Sequence, residues 1–400
     1  MNPDLQRLQP YPFQKLASLF REVQPNPDYR PISLSIGEPK HATPQFIRDA
    51  LANNLDGLAN YPTTAGSDAL RSTIASWLAA RYGINAPNPG TQVLPVNGSR
   101  EALFSFAQAV VDRNRDNPVV VCPNPFYQIY EGAAYLSGAT PRFLNTLPEN
   151  NFALDYAQLA DETWQRTQLV YVCSPGNPTG RVMTLEEWQE LFEMSDRHGF
   201  VIAADECYSE IYFSEKPLGA LQAAHRLGRN DYKNLVVFSS LSKRSNVPGM
   251  RSGFVAGDAA VIEKFALYRT YHGSAMNPAI QAASIAAWKD EAHVAENRRM
   301  YREKIKRVVE ILEPALPVTM PEAGFYLWVR TPVADTRYAQ ALYRDYNVAV
   351  LPGNYLARSS GGVNPGENFV RLALVASTEE TVEAAQRIAE YSLKLSTSSR

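Results

Sequence analysis

The segment 235–257 contains the residue with the clearest potential for covalent chemistry, Lys243. This lysine lies between two apolar, strand-like runs, and a desolvated ammonium loses its proton more readily than one in water. A lysine that is a free amine near neutral pH can form a Schiff base with an aldehyde. Ser240 and Arg251, on either side of it, suit a phosphate group close to that aldehyde. A surface lysine in a serine-rich loop is the alternative interpretation of this segment alone.

Asp205 follows the apolar run 201–204 and has the second distinctive chemical setting. A carboxylate at the end of a buried strand needs a cationic partner, and the N–H of a pyridinium ring can supply it. Pyridoxal 5′-phosphate (PLP) combines such a ring with an aldehyde and a phosphate, so it would satisfy Asp205, Lys243 and the phosphate donors together. Tyr208 can reach the phenolic oxygen of the same cofactor. Capping of the following helix is the alternative role for Asp205.

Three further segments place polar or aromatic groups at the ends of strand-like runs. Residues 97–100 precede a helix, and free N–H groups at a helix start bind anions, although Gly-Ser is also an ordinary N-cap sequence. The turn 174–180 presents the amide of Asn177, in a composition that a plain turn would also have. Phe126 and Tyr127 follow the run 119–122, where an aromatic ring can stack on a flat cofactor or pack in the core.

Arg371 lies within the apolar run 369–374 near the C-terminus. A buried guanidinium needs an anionic partner, and its fork of N–H groups suits bidentate binding of a carboxylate. The sequence therefore makes Arg371 a candidate for binding the α-carboxylate of a substrate, with an internal salt bridge as the alternative. With it, the predicted residues provide a partner for every polar group of an amino acid bound to PLP.

Strand-like runs alternate with amphipathic helical patterns from residue 91 onward, which is typical of an α/β fold with a mainly parallel sheet covered by helices. The predicted strands are residues 92–96, 119–122, 140–144, 169–173, 201–204, 235–238 and 253–256. Helical patterns lie between several of them, at residues 100–114, 126–137 and 185–198. In such a sheet, ligands bind where the carboxyl ends of the strands meet their loops, and this is where the candidate residues lie.

A smaller α+β region is predicted after about residue 286. It begins with a long charged helix, 291–312, and continues through short strands at 324–329, 348–351 and 369–374 to a final helix, 379–393. Near the N-terminus, helical spacing is found at 13–23 and 68–82, with a short strand at 32–36. We therefore predict an N-terminal arm with part of a small domain (residues 1–44), a large domain (45–285) and a small C-terminal domain (286–400).

The composition excludes several classes of function. A chain of 400 residues with net charge −2 gives no electrostatic reason to bind nucleic acid or an anionic membrane. No apolar run is long enough to span a bilayer, and the first residues lack the pattern of an export signal. The three scattered cysteines, which fit neither a disulfide framework nor a zinc site, indicate a reducing cytoplasm. The five histidines lack metal-ligand spacing, so no metal is expected.

The candidate residues and their spacing resemble the class I and II aminotransferases, PLP enzymes of fold type I, over roughly residues 32–376. The resemblance implies that Lys243, in Ser-Leu-Ser-Lys, binds the cofactor and then moves the proton. It implies that Asp205 contacts the pyridine nitrogen, and that Tyr208 and Asn177 contact the cofactor's O3′. The residues that it assigns to the phosphate site are Ser99, Arg100, Ser240 and Arg251.

The resemblance also extends to the substrate and to a second subunit. It implies that Tyr127 stacks on the cofactor ring, and that Arg371, with the backbone near Gly37 and with Asn177, holds the substrate's α-carboxylate. Tyr61, in Tyr-Pro-Thr-Thr-Ala-Gly, matches a tyrosine that reaches the phosphate of the neighbouring subunit. The expected assembly is therefore a homodimer with shared active sites, acting on small amino acids and 2-oxo acids.

Three strings are similar to the N-succinyldiaminopimelate aminotransferases of bacterial lysine biosynthesis. These strings are residues 244–251, 351–358 and 364–366. The resemblance implies glutamate as amino donor and N-succinyl-2-amino-6-oxopimelate as acceptor. Arg244 and Arg358 are the candidates for binding the succinyl and distal carboxylate groups.

Two kinds of alternative remain open at the level of sequence. The same cofactor shell serves other PLP reactions, such as a broad aromatic or alanine transaminase or a carbon–sulfur β-lyase. A non-catalytic PLP-fold binding module is the alternative from a different class. The presence of Lys243, Asp205 and Arg371 argues against such a module, as does the absence of a fused basic helix-turn-helix segment.

Overall fold

A seven-stranded sheet forms the centre of the computed structural model, which describes residues 1–398. The strands of the described chain are β1 (Ile32–Ser33), β2 (Val93–Val96), β3 (Val119–Asn124), β4 (Thr140–Asn145), β5 (Thr167–Cys173), β6 (Val201–Asp205), β7 (Leu235–Ser240), β8 (Gly253–Gly257), β9 (Tyr326–Arg330), β10 (Val348–Ala349), β11 (Leu351–Pro352) and β12 (Phe369–Ala373). The central sheet contains β2 to β8, and the others form a three-stranded and a two-stranded sheet.

The order of strands in the central sheet is β2-β8-β7-β6-β5-β3-β4. Strands β3 to β7 pair in parallel with one another, whereas β8 runs antiparallel to both β2 and β7. Parallel neighbours require crossover connections, which are usually helices. The predicted α/β fold with a mainly parallel, helix-covered sheet is therefore confirmed.

The helices cover the sheets and connect their strands. The α-helices of the described chain are α1 (Pro12–Phe20), α2 (Gln45–Ala52), α3 (Asp68–Tyr82), α4 (Ser99–Val110), α5 (Gln128–Leu136), α6 (Asp161–Arg166), α7 (Leu185–His198), α8 (Ala220–Arg226), α9 (Leu241–Arg244), α10 (Ala259–His272), α11 (Pro278–Lys289), α12 (Ala292–Leu312), α13 (Asp335–Tyr346) and α14 (Thr378–Ser398). None of the helices within residues 1–398 is long and apolar enough to cross a membrane.

The central sheet is apolar on both faces, because successive side chains of a strand point in opposite directions. On β7, Val237 belongs to the same core as Trp188 of α7, whereas Phe238 packs on Phe106 of α4 with ring centroids 5.2 Å apart. Complete burial of side chains of this size contributes about 1.5–3 kcal/mol each. The strands that carry the candidate residues are therefore held firmly from both sides.

A further core lies around the three-stranded sheet β11-β12-β9 and the helices α12, α13 and α14. It includes residues from both ends of the chain, such as Ile32 and Leu34 near the N-terminus and Ile388 on α14. The two-stranded sheet joins the same parts of the chain, because β1 pairs with β10. This packing supports the division into residues 1–44, 45–285 and 286–400, which stays a prediction.

Several elements begin or end at residues other than those predicted. The predicted strand 32–36 is only two residues long, because β1 pairs with β10 over Ile32 and Ser33 and the chain then leaves the sheet. The predicted strand 348–351 is divided, since Val348–Ala349 pairs with β1 and Leu351–Pro352 pairs with β12. The helix predicted at 100–114 begins at Ser99 and ends at Val110. The two differences in the strands arise where pairing with a distant strand stops.

Candidate active site

A cavity of about 570 Å³ opens at the carboxyl edge of the central sheet. Its wall includes residues that follow β2, β3, β5, β6 and β7, together with residues that follow β1 and one from β12. The sequence-predicted site residues that line it are Gly37, Ser99, Arg100, Tyr127, Asn177, Asp205, Tyr208, Ser240, Lys243, Arg251 and Arg371. Tyr61 does not line this cavity, and its side chain is fully exposed. Its contact with a neighbouring subunit stays a prediction.

Lys243 lies on the short helix α9, directly after β7, and its amine points into the cavity. The Nζ donates a hydrogen bond to the carbonyl oxygen of Gly37 at 2.6 Å and lies 5.5 Å from the centre of the Phe325 ring. Burial lowers the pKa of Lys243 to about 8, because an ammonium is poorly solvated there. About a tenth of this lysine is therefore a free amine at pH 7, and the free amine is the form that attacks an aldehyde.

Asp205 ends β6 and presents its carboxylate to the same cavity. Its Oδ2 accepts a hydrogen bond from the Tyr130 hydroxyl at 2.7 Å, and its Oδ1 accepts one from the Cys207 N–H at 3.2 Å. Burial raises the pKa of Asp205, although these hydrogen bonds favour the charged form. Within the described chain Asp205 forms no salt bridge, so a cationic ring N–H from a ligand would complete its partners.

The start of helix α4 forms an anion-binding wall with Ser240 and Arg251. Gly98, just before this helix, has φ +86°, and a Cβ there would lie 2.3 Å from a terminal nitrogen of Arg251. The guanidinium therefore reaches the helix start because residue 98 is glycine. The hydroxyls of Ser99 and Ser240 lie nearby, 3.0 and 3.8 Å from the thiol of Cys207. Two hydroxyls, a guanidinium and free helix N–H groups are suitable donors for a phosphate.

Arg100 and Tyr127 form a pair at the edge of the cavity. The Arg100 Nε donates a hydrogen bond to the Tyr127 hydroxyl at 2.6 Å. Burial raises the pKa of Tyr127, so the phenol stays protonated. Its ring packs edge-on against Tyr130, with centroids 5.8 Å apart. The predicted contacts of Arg100 with a phosphate and of Tyr127 with a cofactor ring stay predictions.

Arg371 is held in the middle of β12, almost completely buried, with its guanidinium at the cavity wall. It donates hydrogen bonds to the Asn177 side-chain oxygen at 3.1 Å and to the Ser35 carbonyl at 2.9 Å. Its Nε is buried without a hydrogen-bond partner, and no carboxylate of residues 1–398 forms a salt bridge with it. An internal salt bridge therefore does not account for this arginine. A substrate carboxylate would supply the missing anion.

Tyr208 lies beside Arg371 in the cavity wall. Its hydroxyl forms a 3.0 Å hydrogen bond with the hydroxyl of Tyr326, and burial raises its pKa. Tyr326 also lies under Arg371, with the guanidinium 4.3 Å from its ring centre. The predicted O3′ contacts of Tyr208 and Asn177 stay predictions.

The interpretation of Arg244 and Arg358 as ligands of distal carboxylates is wrong, because neither residue lines the cavity. Arg244 follows Lys243 on α9 and points about 100° away from it around the helix axis. Its buried guanidinium bonds to Glu291 and to the carbonyl oxygen of Ala287. Arg358 forms a bidentate ion pair with Glu131, with distances of 2.7 and 2.9 Å. Both arginines therefore already have internal anionic partners.

Several cavity residues are missed at the level of sequence. Tyr130 contacts Asp205, and Cys207 lies between the two serine hydroxyls of the anion-binding wall. Tyr130 belongs to the core around α4 and α5, and Cys207 packs against the core of the smaller sheet, so in the sequence both resemble ordinary core residues. Tyr11 and Phe13, at the start of the N-terminal helix, also line the cavity. Their only sequence signal is that they lie in the predicted N-terminal arm, residues 1–44.

The donor set of the cavity fits PLP. A free amine at Lys243, a buried carboxylate at Asp205 and an anion-binding wall around Gly98 match the aldehyde, ring nitrogen and phosphate of that cofactor. The site therefore has the features of a PLP-dependent enzyme. Residues 29–388 match the family model Aminotransferase class I and II. The chain belongs to this family, whose cofactor is PLP, and the resemblance seen in the sequence is confirmed.

Similar proteins agree with this assignment. An LL-diaminopimelate aminotransferase from Nitratidesulfovibrio vulgaris is 32% identical over 367 residues, which cover 90% of this chain and 91% of the relative. The crystal structure of an aminotransferase from Neisseria meningitidis matches with a TM-score of 0.95 and 50% identity, covering 98% of this chain and all of that one. A probable N-succinyldiaminopimelate aminotransferase from Thermus thermophilus matches with a TM-score of 0.84 and 25% identity, covering 95% of this chain and 99% of that one. The chain is an aminotransferase.

Proposed function

We propose that this aminotransferase moves an amino group between glutamate and N-succinyl-2-amino-6-oxopimelate, a step of diaminopimelate and lysine biosynthesis. The observation that carries the amino-acid chemistry is the buried Arg371, whose guanidinium lacks an anionic partner in the described chain and faces the same cavity as the amine of Lys243. An α-amino or 2-oxo acid has the carboxylate that this arginine needs, next to the carbon at which amino transfer takes place.

Each residue of the cavity has a distinct role in this proposal. When bound, PLP supplies an electron-withdrawing ring that makes the α-proton of an amino acid acidic. Lys243 would hold the cofactor through its aldehyde, and its amine would carry the α-proton of the substrate as general base and acid. Asp205 would hold the ring nitrogen in its protonated form. Arg371 and Asn177 orient the substrate carboxylate so that the α-proton faces the lysine amine.

The substrate assignment rests on the strings 244–251, 351–358 and 364–366 and on the similarity to the Thermus thermophilus protein, which is named for the succinylated substrate. LL-diaminopimelate without a succinyl group is the second candidate. It is favoured by the relatives from Nitratidesulfovibrio vulgaris and Maridesulfovibrio salexigens, which are named for it and are 32% and 31% identical. The two substrates differ only in the succinyl group, so a comparison of their turnover by this enzyme distinguishes the two candidates.

The experiment compares N-succinyl-LL-2,6-diaminopimelate with LL-2,6-diaminopimelate as amino donors to 2-oxoglutarate. We expect a higher kcat/KM for the succinylated compound. Equal or faster turnover of the unmodified compound would assign the second candidate instead. A carbon–sulfur β-lyase would release pyruvate and ammonia from cystathionine without a 2-oxo acid, so this assay serves as the control for a different PLP reaction.

We also propose that the enzyme is a cytoplasmic homodimer with shared active sites. Tyr61 and the nearby Leu55 and Leu58 are exposed, as residues that contact a second copy would be in a single chain. The cysteines Cys122, Cys173 and Cys207 are free, which suits a reducing compartment. Sedimentation equilibrium measures the assembly, and Tyr61→Phe is expected to weaken PLP binding while the enzyme stays a dimer. A monomeric enzyme with full activity would contradict the proposal.

A further inference from the structure

A second buried lysine, Lys304 of α12, lies outside the cavity and is not explained by the chemistry above. Its side chain is buried, and no carboxylate within residues 1–398 forms a salt bridge with it. Its Nζ donates hydrogen bonds to the carbonyl oxygen of Ala376 at 2.6 Å and to Nε2 of His41 at 3.0 Å. An unpaired ammonium is costly to bury. Its place in the structure therefore needs a reason.

The hydrogen bonds of Lys304 impose a direction on a chain of polar groups. The ammonium of Lys304 can only donate, so Nε2 of His41 accepts and the imidazole proton is on Nδ1. Nδ1 is 2.8 Å from the side-chain oxygen of Asn297 and therefore donates to it. The same oxygen accepts a second hydrogen bond, from the Asn246 side chain at 3.1 Å. Because two donors face the side-chain oxygen of Asn297, only one of the two possible orientations of its amide satisfies these hydrogen bonds.

In that orientation the chain of hydrogen bonds ends at Lys243. The Asn297 side-chain nitrogen donates to the backbone carbonyl of Lys243 at 3.3 Å. The segment that carries His41 also carries Gly37, whose carbonyl accepts from the Lys243 amine. The backbone and the amine of Lys243 are therefore both held by the same short segment, residues 37–41, one through Asn297 and one directly.

The residues of α12 that take part in these hydrogen bonds are buried by aromatic packing. Asn297, Tyr301 and Lys304 are spaced at i, i+4 and i+7, so they lie on one face of α12. The Tyr301 ring packs against His41 at 4.4 Å and against Phe325 at 5.4 Å. Asn297 is 2% exposed and Lys304 is 1% exposed. Solvent therefore has little access to Asn297 and Lys304, whereas His41 is half-buried.

We propose that Asn297 is a positioning residue for Lys243, and that His41 and Lys304 act through it by fixing the orientation of its amide. This role rests on the assignment of Lys243 as the cofactor-binding lysine. It gives the buried Lys304 a function in the reaction without contact with substrate or cofactor.

The test measures the pH midpoint at which the Schiff-base absorption band of the holoenzyme changes, together with kcat and the melting temperature. Asn297→Asp and Asn297→Leu both remove the N–H that reaches the Lys243 carbonyl, and only the first adds a charge. We expect both variants to move the midpoint by about 0.5 to 1 pH unit and to lower kcat roughly tenfold. Asn88→Asp, an exposed turn residue far from this chain, is the matched control and should behave as wild type.

A pair of His41 variants tests the direction of the hydrogen bonds through the imidazole. These variants also replace the first test if the Asn297 variants do not fold. An Asn side chain can place an N–H near the position of Nδ1, whereas a Gln side chain reaches the position of Nε2. We expect His41→Asn to stay closer to the wild-type midpoint than His41→Gln. Wild-type midpoints in every folded variant would refute the positioning role. Retention of the band in Lys243→Ala would refute the lysine assignment itself, so the two failures are distinguishable.

Discussion

The cavity and the hydrogen-bonded group of His41, Asn297 and Lys304 each contain a lysine, but only the lysine of the cavity faces open space. Lys304 is buried and Lys243 is half-buried, and desolvation lowers the pKa of each to about 8. Lys243 lines a cavity large enough for a cofactor, whereas Lys304 is hydrogen-bonded to His41 and a backbone carbonyl. A lowered pKa therefore does not by itself identify a catalytic lysine. What distinguishes Lys243 from Lys304 is the open cavity next to its amine.

The same contrast holds for two adjacent carboxylates. Asp205 and Glu206 are both buried, and burial raises the pKa of both. Asp205 faces the cavity, whereas Glu206 accepts hydrogen bonds from the Tyr82 hydroxyl at 2.9 Å and from the Ala220 N–H at 2.6 Å. Glu206 directly follows β6, and neighbouring side chains of an extended segment point to opposite sides. One of them is therefore available to a ligand, and the other only stabilises the strand end.

The largest effect is expected from removing the amine of Lys243, with removal of the Lys304 amine as the comparison. Lys243→Ala should lower kcat by at least about 1000-fold and abolish the Schiff-base absorption band, because the amine is both the binding group and the proton carrier. Lys304→Met should keep the band, since its amine does not line the cavity. Spectrophotometry and steady-state kinetics measure both. A band that survives in Lys243→Ala without added amine would contradict the assignment.

The second largest effect is expected from replacing the carboxylate of Asp205. Asp205→Asn keeps the shape of the side chain but cannot stabilise a protonated ring nitrogen, so we expect kcat to fall roughly 100-fold. The hydrogen bond from Tyr130 can be retained, so the melting temperature of the apoenzyme should change little. Unchanged kinetics would show that this carboxylate does not tune the cofactor.

Exchange of the cavity arginine should affect substrate binding. Arg371→Lys replaces a planar fork with a point charge, so we expect the KM for glutamate to rise about 10- to 100-fold. Arg358→Lys is the matched control, because Arg358 pairs with Glu131 outside the cavity. Equal effects on KM in the two variants would mean that Arg371 is not the carboxylate-binding residue.

The smallest effect is expected in the stability of the protein rather than its activity. The pKa of Glu206 is raised from 4.5 to about 7, so between these values the folded state retains a proton that the unfolded state has lost. The free energy of unfolding contributed by this group therefore falls as pH rises from 4.5 to 7, by up to about 3 kcal/mol. Glu206→Gln should lack this fall. Urea unfolding of both proteins across this pH range measures the difference, and parallel curves would contradict it.

Much of the fold follows from local sequence. Most strands of the central sheet are predictable because they are apolar runs bounded by turn residues, although β4 also contains Arg142. The spacing predicts α3 at its observed bounds, 68–82. Ser67 and Gly83 mark the ends of that helix: the first caps it with its hydroxyl, and the second adopts φ +62°. Strand ends are less predictable, because β7 extends through Ser239 and Ser240 only by pairing with β8.

The residue types at the strand ends, and with them the amine, carboxylate and phosphate donors of the cavity, can be identified from the amino-acid sequence. Which of these groups face open space depends on how distant elements pack. Lys243 and Arg244 are neighbours in sequence, yet one lines the cavity and the other bonds to Glu291. Tyr130 contacts Asp205 across 75 positions of the chain. Local propensity acts over a few residues, whereas such partners are selected by the packing of distant elements, so they become visible only in the folded chain.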